Sequence, residues 1–361
     1  MDVNNRLELI TRNLQEVIGL DELKQKLKDK KEFSIYWGTM PTGSISIAYF
    51  FPMLKVADFL KAGCNVKILL ADLHAALDSI PWEILQKRYD YYEEAIKSIL
   101  KTLNVDIKKL EFVKGSDFQL NPKYFEDLLK LSTFTSIHDG KKAASEAVKS
   151  AVGENAKLSG VIYPLMQALD EQYLGVDAQF GGMDQRKIMV YAREILPKLR
   201  YKPRIELINP IIRGLVGEKM SSSLESTKID LLESQENVIR KIKSAEFVEG
   251  DSINGVMALL KYFIFIIKKD KHEKLLIYRP AKFGGDLSYK EYEALEKDVL
   301  AKKIHPLDVK NALAKEINLL LSKTQTDKLK EDIRSIMFAL PEKAIKVTED
   351  GNVIMEAFDQ I

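Results

Sequence analysis

The strongest constraint lies near the start of the chain. Phe33-Ser34-Ile35-Tyr36-Trp37 is a β-branched and aromatic run that stops at Gly38. A loop with Pro41 and Gly43 follows. Apolar residues then recur at 47, 50, 51, 54 and 57, which predicts a helix from near Ser44 to Gly63. Residues 66–70 read as a second strand. Strand, glycine loop, helix and strand in that order require a parallel sheet, because parallel neighbours need a crossover of this kind. Its right-handed sense puts the 38–44 loop at the carboxyl edge of the strands, where doubly wound sheets bind ligands.

The rest of the chain fits around this unit. Residues 3–30 read as two short amphipathic helices, with Leu7, Ile10, Leu14 and Val17 at helical spacing, and Gly19 then Asp21 marking a stop and a new cap. Asp72-Leu73-His74 leaves the second strand at the same edge. Pro81 opens a long helix to Leu103, and residues 111–113 form a third strand. Residues 120–160 read as a helical insertion between two halves of the sheet, a place where dimer contacts are often made. A further helix starts near Val161 with Pro164 in its first turn. Residues 176–180 form a strand, 187–196 a helix and 205–208 the last strand. The expected fold is α/β: a doubly wound, Rossmann-like parallel-sheet domain over 1–230 and a mainly helical domain over 231–361.

Composition excludes several classes. With 46% hydrophobic and 30% charged residues in 361, the chain is globular rather than disordered. Cys64 is the only cysteine, so there is neither a disulfide framework nor a thiolate zinc site. His74, His138, His272 and His305 carry no metal-ligand spacing. The longest apolar run, 256–267, is broken by Lys261 and too short to span a bilayer. No basic-then-apolar leader precedes Asn5. A soluble, cytoplasmic protein with no membrane partner is expected.

Four stretches carry chemistry. Tyr163, Gln167 and Asp170 share one face of a helix whose other positions, Leu165, Met166, Ala168 and Leu169, are apolar. A polar row in a buried helix is a pocket for a small, polar, partly aromatic ligand, since an acid there needs a hydrogen-bond partner. Gly181-Gly182-Met183-Asp184-Gln185 lets a ligand approach the backbone and places Asp184 to accept from a ribose hydroxyl. The Gly38 to Gly43 loop is neither a Walker loop nor the dinucleotide fingerprint. Lys219-Met220-Ser221-Ser222-Ser223 is poor core material, but it offers hydroxyls and one ammonium to a polyphosphate.

Taken in order, Tyr36-Trp37-Gly38-Thr39, Ala71-Asp72-Leu73-His74-Ala75, Tyr163-Pro164 with Gln167-Ala168-Leu169-Asp170, 176–187 and Lys219-Met220-Ser221-Ser222-Ser223 resemble tyrosyl-tRNA synthetase of the archaeal/eukaryotic type, a class I synthetase. The resemblance runs from the N-terminal arm to about Asn311. It implies that Tyr36, Tyr163, Gln167, Asp170, Gln185 and His74 hold L-tyrosine, with Tyr36 and Asp170 at the phenol. It assigns Gly38, Thr42, Gly43, Ser46, Gly181, Gly182, Asp184 and Met220 to ATP, which brings Mg²⁺. Lys219, Ser221, Ser222, Ser46 and Tyr49 would serve the chemical step, and Phe283, His305 and Asp308 would read the tRNA anticodon. A homodimer is implied as well.

There is one departure. The family carries a histidine where this chain has Ser46, so slower activation is expected. The tripeptide linked to signalling in some relatives reads Gln86-Lys87-Arg88 here, and that role is not carried over. Two alternatives stay open at this point. One is tryptophanyl-tRNA synthetase; the other is a synthetase-derived RNA-binding or signalling protein with reduced catalysis. Tyr36 with Asp170 favours a phenol over an indole, and the intact 219–223 stretch argues against the second.

Overall fold

The computed structural model describes residues 1–29, 32–78, 80–148, 153, 156–215, 228–338, 345–347 and 353–355. The chain opens with α1 (Val3–Thr11), β1 (Glu16–Ile18) and α2 (Leu20–Asp29). The expected first helix is therefore cut short. Asn13 takes a left-handed conformation (φ 62°), which asparagine tolerates, and Val17 goes into a strand instead.

Next come β2 (Ser34–Thr39), α3 (Phe50–Lys61), β3 (Asn65–Leu70), α4 (Asp72–Leu77), α5 (Leu85–Thr102) and β4 (Leu110–Lys114). The inserted helices α6 (Ser116–Gln119), α7 (Pro122–Phe134) and α8 (Ile137–Ala144) lead to α9 (Leu158–Tyr173), β5 (Ala178–Gly182), α10 (Arg186–Ile195) and β6 (Ile205–Asn209). The strands lie in the order β1-β6-β5-β2-β3-β4, parallel throughout except for β1 against β6. After β4 the chain crosses to the other side of β2. The carboxyl ends of β2 and β5 therefore flank the crevice where sheet growth reverses direction.

Two boundaries differ from the periodicity. The helix expected from Ser44 starts later: Ser46 caps a 3-10 turn at Ile47–Tyr49, and α3 begins only at Phe50. The 43–47 backbone is engaged elsewhere, with Ile47 N–H on the Ile229 carbonyl and Leu231 N–H on that of Ile45 (both 2.9 Å). In addition, α9 begins at Leu158, so Pro164 lies inside the helix rather than in its first turn. The buried face of α9 overrides the one backbone bond that proline removes.

The C-terminal part comprises α11 (Gln235–Ser244), α12 (Gly255–Leu259), a π-helical turn (Leu260–Ile264), α13 (Phe265–Asp270), the hairpin β7 (Leu275–Ile277)/β8 (Leu287–Tyr289), α14 (Tyr292–Leu300), α15 (Pro306–Thr324) and α16 (Asp327–Phe338). A last pair, β9 (Ile345–Val347) and β10 (Val353–Met355), is antiparallel. One apolar core runs from Phe33 and Ile35 through Phe50 and Phe263 to Leu313, joining α3 to the C-terminal helices. The Lys268-Lys269-Asp270 run ends a helix. It belongs to α13, where Lys268 is buried against Glu316 (2.9 Å) and Asp270 pairs with Lys61 (2.6 Å).

Candidate active site

Helix α9 presents Tyr163, Gln167 and Asp170 along one buried face, as its spacing requires. Asp170 Oδ1 accepts from Gln119 Nε2 (2.8 Å) and lies 2.9 Å from the Tyr124 hydroxyl, which is also 2.8 Å from the Met166 carbonyl. Among the described residues, Asp170 Oδ2 has no hydrogen-bond partner, and neither does the hydroxyl of Tyr36 on β2, although both are buried. The two groups are electrostatic neighbours. Buried polar atoms left this way are rare in folded proteins and mark where a ligand completes the network.

Burial raises the Asp170 carboxyl to about 7, against the opposing hydrogen bonds from Gln119 and Tyr124. Burial also holds the Tyr36 phenol well above its ordinary range, helped by the charges of Glu171, Asp170 and Glu206. His74, at the start of α4, stands edge-on to Tyr163 with ring centres 4.6 Å apart. Its Nε2 is 3.7 Å from Asp170 Oδ2, and burial depresses it to about 4, so it is a neutral imidazole at pH 7.

Several members of this cluster carry no sequence signal of their own role. Gln119 and Tyr124 come from the inserted helices α6 and α7. Glu171, Gln179 and Glu206 are fully or almost fully buried, with carboxylate or amide oxygens lacking partners. Tyr36, Gln179 and Glu206 stand in register across β2, β5 and β6, so they share a face of the sheet. Burial lifts the Glu171 carboxyl well above its ordinary range, opposed by Arg204 and Arg193.

The second half of the site lies at the ends of β2 and β5. A side chain added at Gly182 would come within 2.6 Å of Asp184 Oδ1, so glycine here leaves that carboxylate room. Beside it is a cavity of about 250 Å³ whose walls include Ile47, Ala48, Gly182, Asp184, Leu259 and Phe263. It is mostly apolar and distinct from the Tyr36–Asp170 end. Gly38 lies within β2 and Gln185 closes the 3-10 turn Met183–Gln185. Thr42 and Gly43 line the half-exposed loop after β2. Ser46 Oγ accepts from the Ala48 N–H (3.3 Å). The Tyr49 hydroxyl is turned to Thr39 Oγ1 (2.8 Å), so it braces the loop.

Lys219, Met220, Ser221, Ser222 and Ser223 lie outside the described residues. On one side of them, Glu246 N–H bonds the Leu215 carbonyl (3.2 Å); on the other, Lys228 Nζ meets Ser44 Oγ (3.2 Å). In the C-terminal part, Phe283 is 61% exposed, with Lys282 Nζ 5.0 Å from its ring centre. His305 caps α15 through Nδ1 to the Leu307 N–H (3.1 Å), and Asp308 lies in the first turn. Arg279 draws the two regions together by bonding the Gly285 and Lys303 carbonyls (3.0 and 3.3 Å). Among the described residues, no cluster of three or more His, Cys, Asp or Glu side chains is placed to hold a metal ion.

The doubly wound sheet, with a buried polar row on one side of its crevice and a glycine-acid turn on the other, has the Rossmann-like architecture of class I synthetase catalytic domains. The family profile described as tRNA synthetases class I (W and Y) matches residues 28–322, and the chain belongs to that family. Within it, similarity runs to the archaeal/eukaryotic tyrosine branch. The cytoplasmic tyrosine–tRNA ligase of Gallus gallus is 50% identical over 320 residues, covering 88% of this chain and 59% of that protein. The probable cytoplasmic tyrosine–tRNA ligase of Encephalitozoon cuniculi is 46% identical, covering 89% of this chain and 94% of its own length. The structure of tyrosyl-tRNA synthetase from Archaeoglobus fulgidus complexed with L-tyrosine superposes with a TM-score of 0.82 at 37% identity, covering 90% of this chain and 98% of that one. The chain thus spans about three fifths of the vertebrate relative's length.

Proposed function

We propose that this chain is a tyrosine–tRNA ligase: it activates L-tyrosine with ATP and transfers the tyrosyl group to tRNA(Tyr). The observation that carries this reading is the pair of unpartnered buried groups, Tyr36 OH and Asp170 Oδ2. A phenol hydroxyl between them donates to the carboxylate and accepts from Tyr36, satisfying both. An aromatic ring without the hydroxyl leaves both unsatisfied, which costs roughly 1–3 kcal/mol per group.

Tyr163, Gln167 and Gln185 hold the α-amino group, and His74 shapes the pocket as a neutral wall. ATP lies over the 38–46 loop with its ribose at Asp184, its base in the adjoining apolar cavity and its phosphates toward Ser46. Mg²⁺ enters with the nucleotide as part of the substrate. The tyrosine carboxylate attacks the α-phosphorus; the new O–P bond forms as the bond to pyrophosphate breaks. A terminal ribose hydroxyl of the tRNA then attacks the tyrosyl carbonyl, losing its proton as AMP leaves. No enzyme nucleophile is needed: the protein positions the reactants and stabilises charge.

The chain divides near residue 230, with Phe283, His305 and Asp308 reading the anticodon: a ring and an imidazole stack unpaired bases, and a carboxylate accepts from a base edge. A homodimer is supported by exposed Leu120, Phe125, Leu129, Phe134 and Ile137 on and beside α7 and α8. A cytoplasmic location agrees with the names of the relatives. No helix among the described residues is long and apolar enough to cross a membrane. The test is charging of tRNA(Tyr) with labelled tyrosine by the whole chain. Tyrosine esterified to tRNA supports the reading; absence of any ATP-dependent ester rejects it.

A further inference from the structure

The loop after β2 has almost no backbone ladder of its own, yet side chains hold four of its main-chain groups. Arg88, 3% exposed, directs Nη1 at the Thr42 carbonyl and, at 3.3 Å, at that of Pro41. The Gly43 N–H donates to the Tyr92 hydroxyl (3.2 Å), and the Ile45 N–H to that of Tyr91 (2.9 Å). Residues 88, 91 and 92 are spaced i, i+3, i+4, so one face of α5 grips four backbone groups of the loop. On the loop's other side, a side chain at Gly43 would meet nothing within 4 Å among the described residues.

We propose that Arg88, Tyr91 and Tyr92 are positioning residues for the nucleotide, fixing the 41–45 backbone in the shape that receives the phosphates. This deepens the synthetase reading and rests on it. Arg88 draws the Pro41 and Thr42 carbonyls onto its guanidinium, so these two acceptors do not face an anion arriving from the other side. Orientation set in advance in this way costs no reorganisation when the phosphates enter. Tyr92 also meets Tyr49 edge-on, with ring centres 5.9 Å apart, and Tyr49 holds Thr39, so the grip extends along the loop from β2 to the start of α3. The polar interior of α5 thereby acquires a role. A buried arginine and two buried tyrosines on one helical face would otherwise be costly core residues.

The experiment is tyrosine-dependent ATP–pyrophosphate exchange by the whole chain, with KM measured separately for ATP and for tyrosine. Arg88→Gln is expected to raise the ATP KM about tenfold while tyrosine KM stays within about twofold, because only the nucleotide loop is displaced. Arg88→Lys, which keeps a cation, recovers part of the loss, and Tyr92→Phe gives a smaller rise of the same kind. If Arg88→Gln does not fold, Tyr92→Phe decides by the same criterion. Unchanged ATP KM, or equal rises in both KM values, overturns the proposal. Wild-type chain without tyrosine-dependent exchange overturns the synthetase reading instead.

Discussion

Tyr124 sets its hydroxyl 2.9 Å from Asp170 Oδ1, and Gln119 takes the same oxygen at 2.8 Å, so Oδ2 alone is left for a ligand. Burial places this carboxyl at about 7, so it is part-protonated at neutral pH. A substrate phenol donates more strongly to the ionised form. Tyrosine affinity is therefore expected to rise with pH through about 7 and then level off. Removing the Tyr124 donor in Tyr124→Phe forfeits about 1.5–3 kcal/mol of support for the carboxylate. That lifts its pKa by roughly one to two units. Calorimetric tyrosine binding should weaken about tenfold at pH 7 and recover near pH 9; an unmoved pH midpoint refutes the assignment. The same raised pKa fixes the sign for stability. In the free protein this group's contribution is fully present below its ordinary value of 3.8 and is lost as pH rises toward 7.

Ser46 caps the Ile47–Tyr49 turn through Oγ, and the ATP placement proposed above sets the phosphates beside it. Ser46→His should speed single-turnover formation of tyrosyl-adenylate, while loss of the cap lowers stability by about 1 kcal/mol. An unchanged rate would show that the phosphate contact is supplied elsewhere.

Arg12 bridges Asp58 on α3 and Asp270 on α13, and Lys55 is buried against Asp58 (3.3 Å) and the Leu9 and Arg12 carbonyls. The two acids are not equivalent. Asp58 has 4% side-chain exposure, so Asp58→Ala strands a buried lysine and should cost about 3–5 kcal/mol in urea unfolding. Asp270 is 24% exposed, and Asp270→Asn should cost about 1 kcal/mol or less. Equal losses would show that the cluster acts as one unit.

Local pattern exposed the sheet because β2 runs into the Gly38–Gly43 loop and a helix of crossover length, and β5 into Gly181-Gly182 and another helix. The Tyr163, Gln167 and Asp170 row was equally legible, since three polar positions at helical spacing stand out among Leu165, Met166, Ala168 and Leu169. The groups that complete Asp170 were not. Gln119 and Tyr124 reach it only because α6 and α7 fold back onto α9, and no periodicity within either helix encodes that approach. β1 has no sequence signature for a related reason: three residues make no pattern, and their pairing is set by β6. Glu206, a single acid between Ile205 and Leu207, left a faint trace that becomes meaningful only when β2, β5 and β6 stand side by side.

The most direct measurement is ATP–pyrophosphate exchange by the whole chain with tyrosine, phenylalanine and tryptophan supplied in parallel. The phenol-recognising site predicts exchange with tyrosine alone, and a marked loss of that preference over phenylalanine in Asp170→Asn. Exchange with tryptophan equal to that with tyrosine, or a tyrosine preference untouched in Asp170→Asn, would contradict it.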